Sequence, residues 1–285
     1  MYSPFATFVG FLFFLFLILV TYNSATFFLE FSHFSTTNQI INELRCTNCT
    51  NTLGYEHVYV INLEYRIDRR KKMEALGDYL GLDLDIIKAV NKFDNGALSR
   101  LNMSNLEAGP KACYLSHYSV IESIVKNGYK NTMILEDDVD MELNITDIMS
   151  EVHRNLPNNW DILYLGSCHE EGNELLKTNL TIHKLHKSGY PKCTHAYAVS
   201  IKGAKKLLKK LKINNTADKI DREIPALITA GEIIGYSIYP QIVVQFKGVN
   251  DLSDVTPGRK KPSRTYPLMN STLLYLGYNP NIPDS

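Results

Sequence analysis

No lysine or arginine occurs before Arg45 in this 285-residue chain. A segment so lacking in basic residues has no positive flank to orient it in a membrane. Net charge is missing too, since 30 Lys+Arg balance 30 Asp+Glu. Totals of that kind imply no basic face, which sets nucleic acid aside as a partner. Cysteine is scarce, at five residues, and Cys46-Thr47-Asn48-Cys49 has no second pair to complete a zinc ribbon. Low-complexity tracts and internal repeats are absent, which excludes solenoids and disordered arrays. What remains is an ordinary folded composition, 45% hydrophobic, long enough for one large domain or one domain plus appendages.

In place of charge, the N-terminus carries a long apolar run. Phe5 to Val20 spans about 24 Å as a helix, short of the roughly 30 Å hydrocarbon core, and continuing to Leu29 closes the gap. Residues 1–29 therefore read as an uncleaved signal anchor, with Ser24-Ala25 marking the alternative of a cleaved signal peptide. Residues 30–55 are rich in Ser, Thr and Asn and read as a stem; 56–285 read as the folded domain. Six Asn-x-Ser/Thr sequons, at Asn48, Asn102, Asn144, Asn179, Asn214 and Asn270, favour a lumenal domain. The expectation is a single-pass type II membrane protein of the Golgi or endoplasmic reticulum. In such a compartment Cys168 and Cys193, which bracket a polar loop, offer a bridge worth about 3 kcal/mol.

The chain is organised around Thr132-Met133-Ile134-Leu135-Glu136-Asp137-Asp138-Val139. A short apolar run with a polar stop reads as the end of a buried strand, which delivers the three acids to the carboxyl edge of a sheet. At ~4 Å and an effective dielectric of about 20, each like-charged pair costs on the order of 4 kcal/mol. The acids must splay into water or be held by a cation, and oxygen ligands at a phosphate-binding edge suit Mg²⁺ or Mn²⁺.

Around it, strands alternate with helices. Val58-Tyr59-Val60-Ile61 reads as a strand buried on both faces, followed by a helix to about Leu80 that Asp68 would cap. Arg66, Arg69 and Arg70 sit just past that strand, where guanidinium forks match phosphate oxygens. Leu84 to Val90 is a second strand, and Glu107 opens a helix that places His117 on an apolar stripe and stops at Gly128. A helix over 144–156 and a strand over 160–166 follow, with a polar loop to about Pro191. Ala196 to Ser200 is a strand and Lys202 to Leu211 a helix. Ile220 to Ala230 is a helix tolerating Pro225 in its first turn. Ile233 to Val244 is the last strand pattern, interrupted at Pro240, and a Pro/Gly-punctuated tail wraps the domain. The alternation indicates an α/β layered domain.

Several blocks resemble glycosyltransferase family 25, which includes lipopolysaccharide, lipooligosaccharide and collagen galactosyltransferases. They are Val58 to Leu63 with Arg66 and Asp68-Arg69-Arg70; Glu107-x-Gly109-x₃-Cys113-Tyr114-Leu115-Ser116-His117; Ile134 to Asp138; Asp161 to Gly166; and His195 to Ser200 with Gly203-Ala204. Tyr236 to Pro240, followed by Gln245 and Ser253-Asp254, is similar to fungal-type members. The resemblance implies a GT-A-like nucleotide-diphospho-sugar transferase fold, a Rossmann-like mixed sheet flanked by helices. It implies transfer of a hexose, galactose above all, from a UDP-sugar to a glycan or protein hydroxyl, assisted by Mn²⁺ or Mg²⁺. Asp138, with Asp137 and Glu136, takes the place of the metal-binding acids, and His195 is a further candidate ligand. Asn62, Arg66, Arg69, Arg70, Ser116, His117, Glu136 and Asp137 fall to donor binding. Asp221 begins the segment resembling the acceptor side and is the candidate base, with Asp218 as alternative and helix capping as the plain structural role. A non-catalytic binding protein and a sugar-nucleotide hydrolase are the competing functions.

Overall fold

The computed structural model describes residues 51–101, 106–170, 174–178, 180–211, 213, 218–248, 251–255 and 267–281. The expected anchor, nearly all of the expected stem, Cys46, Cys49 and the sequons at Asn48, Asn102, Asn179 and Asn214 lie outside them. Among the described residues no helix is long and apolar enough to cross a membrane.

Strands with apolar residues on both faces build the centre. β1 (His57–Asn62), β2 (Asp85–Lys88) and β3 (Asn131–Glu136) run parallel, with β1 between the other two. β8 (Ala196–Ser200) pairs antiparallel with both β3 and β5 (Ile162–Gly166). Beyond β5 come β9 (Gly235–Tyr239), β7 (Lys184–Lys187) and β6 (Glu174–Leu175), giving the order β2-β1-β3-β8-β5-β9-β7-β6. Period-two alternation sends Val58, Val60, Met133 and Leu135 to one face and Tyr59, Ile61 and Ile134 to the other. Burying one such aliphatic side chain stabilises by about 1.5–3 kcal/mol.

The first face is covered by helix α1 (Ile67–Leu80), helix α4 (Ile145–Asn155) and the two-stranded sheet of β4 (Val139–Met141) and β10 (Val243–Gln245). The second is covered by α3 (Ala108–Asn127), α5 (Ile201–Lys210) and α6 (Ile220–Thr229). Two short helices complete the set, α2 (Asn95–Leu98) and α7 (Thr272–Tyr275). The layers are those of a mixed α/β sheet flanked by helices, as expected.

Several local expectations change. Residues 51–55, the end of the expected stem, pack on the domain: Leu53 and Tyr55 bury in the core and the Tyr55 ring meets His153 edge-on. Arg66, not Asp68, is the N-cap of α1; Asp68 sits in the first turn, its carboxylate forked by the Arg66 guanidinium. The polar loop after β5 contains the β6–β7 hairpin, whose exposed, charged ends hide it from an apolar pattern. Pro225 is the sixth residue of α6 rather than part of its first turn. The last strand pattern splits at the cis Tyr239–Pro240 bond into β9 and β10, which join different sheets. Cys168 and Cys193 are bridged, as the sequence suggested.

Candidate active site

The carboxyl ends of β1 and β3 adjoin the N-terminal end of β8. Glu136, at the end of β3, pairs with Ile61 in register, and its amide donates to the His195 carbonyl at 2.9 Å. Glu136, Asp137 and Asp138 then diverge. Glu136 turns to the α3 face, where Oε1 lies 3.3 Å from His117 Nε2 and accepts from Thr194 Oγ1 at 3.1 Å. Asp137 and Asp138 turn toward α1 and share one guanidinium: Arg69 Nη1 is 2.9 Å from Asp137 Oδ1 and 3.4 Å from Asp138 Oδ2. A cationic group of the chain itself thus stands between the two carboxylates.

Asn62, the last residue of β1, locks this arrangement. Its Nδ2 donates to Asp137 Oδ2 at 2.8 Å and to the Arg66 carbonyl at 3.2 Å. Lys247 Nζ stands 3.6 Å from Asp138 Oδ2, and the Phe246 amide donates to the Asp138 carbonyl at 2.7 Å. Burial dominates at Asp137 and, aided by Asp138, pushes its carboxyl up to about 6 against the pull of Arg69 and Asn62. Burial also opposes ionisation of Glu136, but the bond and charge of His117 outweigh it and hold this acid below the usual carboxylate range. Glu136 keeps a quarter of its side-chain surface in contact with solvent, which softens that effect.

The arginines are engaged by acids 180 positions and more along the chain. Arg66 Nη2 and Arg69 Nη2 both donate to Asp251 Oδ1, at 2.6 and 2.8 Å, and Arg66 Nη1 donates to Asp254 Oδ2 at 2.6 Å. Tyr65 Oη donates to Asp254 Oδ1, and Lys92 Nζ to the Asp254 carbonyl. Gly109, at the start of α3, makes room for this segment, since a Cβ there would lie 2.3 Å from the Val255 carbonyl oxygen. Arg69 Nε is buried with no partner among the described residues. Arg70 lies apart, half exposed and paired with Glu74. Ser116 is used internally: its Oγ accepts from the Val90 amide at 2.8 Å and donates to the Ala112 carbonyl at 2.8 Å.

The two candidate bases differ. Asp218 is half-exposed, and its Oδ1 accepts from the Lys219 amide at 2.8 Å. Asp221, in the first turn of α6, has an Oδ1 that is buried without a partner among the described residues. The N-cap of α6 is Lys219, with no side-chain cap, so that oxygen of Asp221 is not spent on capping. Burial raises the Asp221 carboxyl above its usual range, and the negative fields of Glu136 and Asp218 add to this against Lys219 and Arg222. His195 is wholly buried with neither ring nitrogen in good hydrogen-bond geometry, although the Val243 carbonyl lies close and favours its protonated form. Its Nε2 is packed against Gly166, where a Cβ would fall 2.5 Å from it. Burial lowers its pKa and favours the neutral ring.

Residues 55–221, more than half of the chain, match the family model described as Glycosyltransferase family 25 (LPS biosynthesis protein). The chain belongs to glycosyltransferase family 25. A glycosyltransferase 25 family member from Aedes aegypti is 30% identical over 194 residues, covering 61% of this chain and 31% of that protein. Procollagen galactosyltransferase 1 of Danio rerio is 28% identical over 217 residues, covering 67% and 35%. Inactive glycosyltransferase 25 family member 3 of Homo sapiens is 29% identical over 174 residues, covering 55% and 29%. The alignments span about a third of the length of these relatives.

Sequence reasoning passed over Asp251, Lys247, Thr194 and Tyr197, all of which meet the family 25 motifs in space. Asp251 follows its arginine partners by 185 and 182 residues, a separation at which no spacing rule applies. Thr194 and Tyr197 flank His195 and Ala196, and only the antiparallel pairing of β8 with β3 brings them to Glu136 and His117.

Proposed function

We propose that this family 25 chain transfers a hexose, with galactose the leading case, from a UDP-sugar to a glycan or protein hydroxyl in the secretory pathway. The observation that carries this reading is the buried carboxylate oxygen of Asp221, unpartnered among the described residues and within the field of Glu136 at the acid-lined edge of the sheet. A carboxylate with raised affinity for a proton suits a general base that takes the proton of an acceptor hydroxyl. Asn62, Arg69 and Lys247 hold and orient the Asp137–Asp138 pair. Arg69 Nε and the Lys247 ammonium are the cationic donors suited to an incoming diphosphate.

Asp137 and Asp138 already converge on a single cationic group, so the donor set fits a hard divalent cation such as Mn²⁺ in exchange for that guanidinium. Bound there, the metal would act as a Lewis acid on the leaving diphosphate. A second reading, a binding protein that does not catalyse, is favoured by the commitment of Arg66 and Arg69 to the chain's own acids.

UDP release by the purified protein, with Mn²⁺ and with or without acceptors, separates the readings. Acceptor-dependent release is expected. Release without acceptor would mean hydrolysis, and none with any UDP-sugar would mean binding only. Asp221→Asn should lower transfer 10²–10⁴-fold and spare UDP affinity, whereas Asp218→Asn should be near normal. Normal transfer by the Asp221 variant would remove Asp221 from the mechanism.

A further inference from the structure

The α3 side of the strand end holds a group of donors to which the proposed reaction assigns no step, although the family resemblance places His117 and Glu136 near the donor. Cys113 and His117 are one helical turn apart on α3, and Glu136 faces them from the end of β3. Their ligand atoms, a thiol sulfur, an imidazole nitrogen and a carboxylate oxygen, all lie within 4.8 Å of one another. His117 is wholly buried, and Cys113 carries the free thiol of the described domain.

The nitrogen–oxygen separation fits tetrahedral coordination. Nitrogen and oxygen ligands each about 2.0–2.1 Å from a tetrahedral zinc stand roughly 3.3–3.4 Å apart. His117 Nε2 and Glu136 Oε1 are 3.3 Å apart. The ring stands where a ligand would, once the metal displaces the Nε2 proton now shared with Glu136. His117 Nδ1 lies 3.1 Å from Tyr197 Oη, so a proton on Nδ1 donated to that hydroxyl leaves the Nε2 lone pair directed at the cluster. Thr194 Oγ1 donates to Glu136 Oε1 at 3.1 Å and orients the carboxylate in the same manner. Both supporting groups come from β8 and its approach, so three elements converge on the cluster.

We propose that Cys113, His117 and Glu136 bind one Zn²⁺, a site separate from the Asp137–Asp138 pair and independent of the transferase reading. The ligand chemistry decides the metal. Thiolate and imidazole select Zn²⁺ or Co²⁺ over Mg²⁺ and Mn²⁺, which prefer carboxylate and water oxygens. With three protein ligands the fourth position is left for water or an incoming group. The bound ion ties α3 to the end of β3, beside the acids on which the proposed reaction depends.

Cobalt makes the test direct, because Co²⁺ in the same ligands shows a thiolate charge-transfer band and tetrahedral visible bands. Metal-stripped protein titrated with Co²⁺ should develop both with one equivalent. Zn²⁺ should bleach them stoichiometrically, and a large excess of Mn²⁺ should not. Cys113→Ser should abolish the charge-transfer band, and His117→Gln should weaken Co²⁺ binding at least tenfold. Asp138→Asn should leave both spectrum and affinity unchanged. Circular dichroism of each stripped variant checks that it is folded. Should a His117 variant not fold, Glu136→Gln serves as the second ligand change, with the same weakening expected. Co²⁺ binding without a thiolate band, full affinity in Cys113→Ser, or no binding by folded wild-type protein would each overturn the site. None of these readouts needs transferase activity.

Discussion

Asp137 is a carboxylate under opposed influences. Two donors hold it, Arg69 Nη1 and Asn62 Nδ2, yet burial and its neighbour Asp138 raise its pKa to about 6 from an ordinary 3.8. The folded protein therefore binds this proton more tightly than the unfolded chain does. The contribution of Asp137 to stability is full below about pH 4 and declines as pH rises to about 6, by up to about 3 kcal/mol. Asp251 has the opposite sign. Burial would raise it, but Arg69 and Arg66 hold it low, so its stabilisation is present above about pH 4 and lost in acid. Asp137→Asn isolates the first effect. In urea titrations from pH 4 to 7, the stability of wild type minus that of the variant should fall between pH 4 and 6. A difference that stays flat across that window would show that Asp137 titrates normally.

At the scale of elements, what was legible in the sequence depended on how local the signal was. β1, β3 and β8 show β-branched, aromatic or small apolar runs, and α3 shows helical spacing closed by Gly128, so these elements stand close to where the pattern places them. The β6–β7 hairpin had no such signal, because its strands are short with charged ends and β6 forms the sheet edge. The seam between β5 and β10 was equally unreadable, since it is set by backbone proximity rather than by side-chain type. Gly166 marks it: a Cβ there would meet the Val243 carbonyl oxygen at 2.0 Å and His195 Nε2 at 2.5 Å. Backbone cannot yield as a side chain can. Gly166→Ala should lower stability by about 1–3 kcal/mol through overpacking, read as a reduced midpoint in thermal or urea denaturation. An unchanged midpoint would mean that β10 moves away freely.

At the scale of the whole molecule, the Cys168–Cys193 bridge closes a 25-residue excursion that leaves β5 and returns to β8. His169 and Lys192 form a β-bridge beside it, and Thr194 follows directly on the way to Glu136. In the chain-entropy account a loop of this size stabilises by about 3 kcal/mol. The Cys168→Ser/Cys193→Ser double variant should lose about that much in urea denaturation; equal midpoints for the two proteins would contradict it. The acid triplet shows where whole-molecule information was needed for the site. Three adjacent acids called for a cation, and the sequence rules pointed to a metal. That Arg69 also reaches two of these acids depends on how α1 packs beside β3, which no local pattern encodes. The same holds for Asp251 and Asp254, whose partners precede them by most of the domain.

Those two aspartates make the arginine pair a site already occupied by a resident anion. A phosphate reaching Arg66 or Arg69 arrives by exchange and not by addition, with one set of negative oxygens leaving as another enters. Few counterions change hands in such a swap, so the salt dependence of binding should be shallower than two free arginines would produce. Removing the resident charge should also tighten binding and not loosen it. UDP affinity measured from low to high salt in Asp251→Asn, beside wild type, should be higher and more steeply salt-dependent. Lower affinity in that variant would mean that Asp251 supports the anion site instead of competing for it.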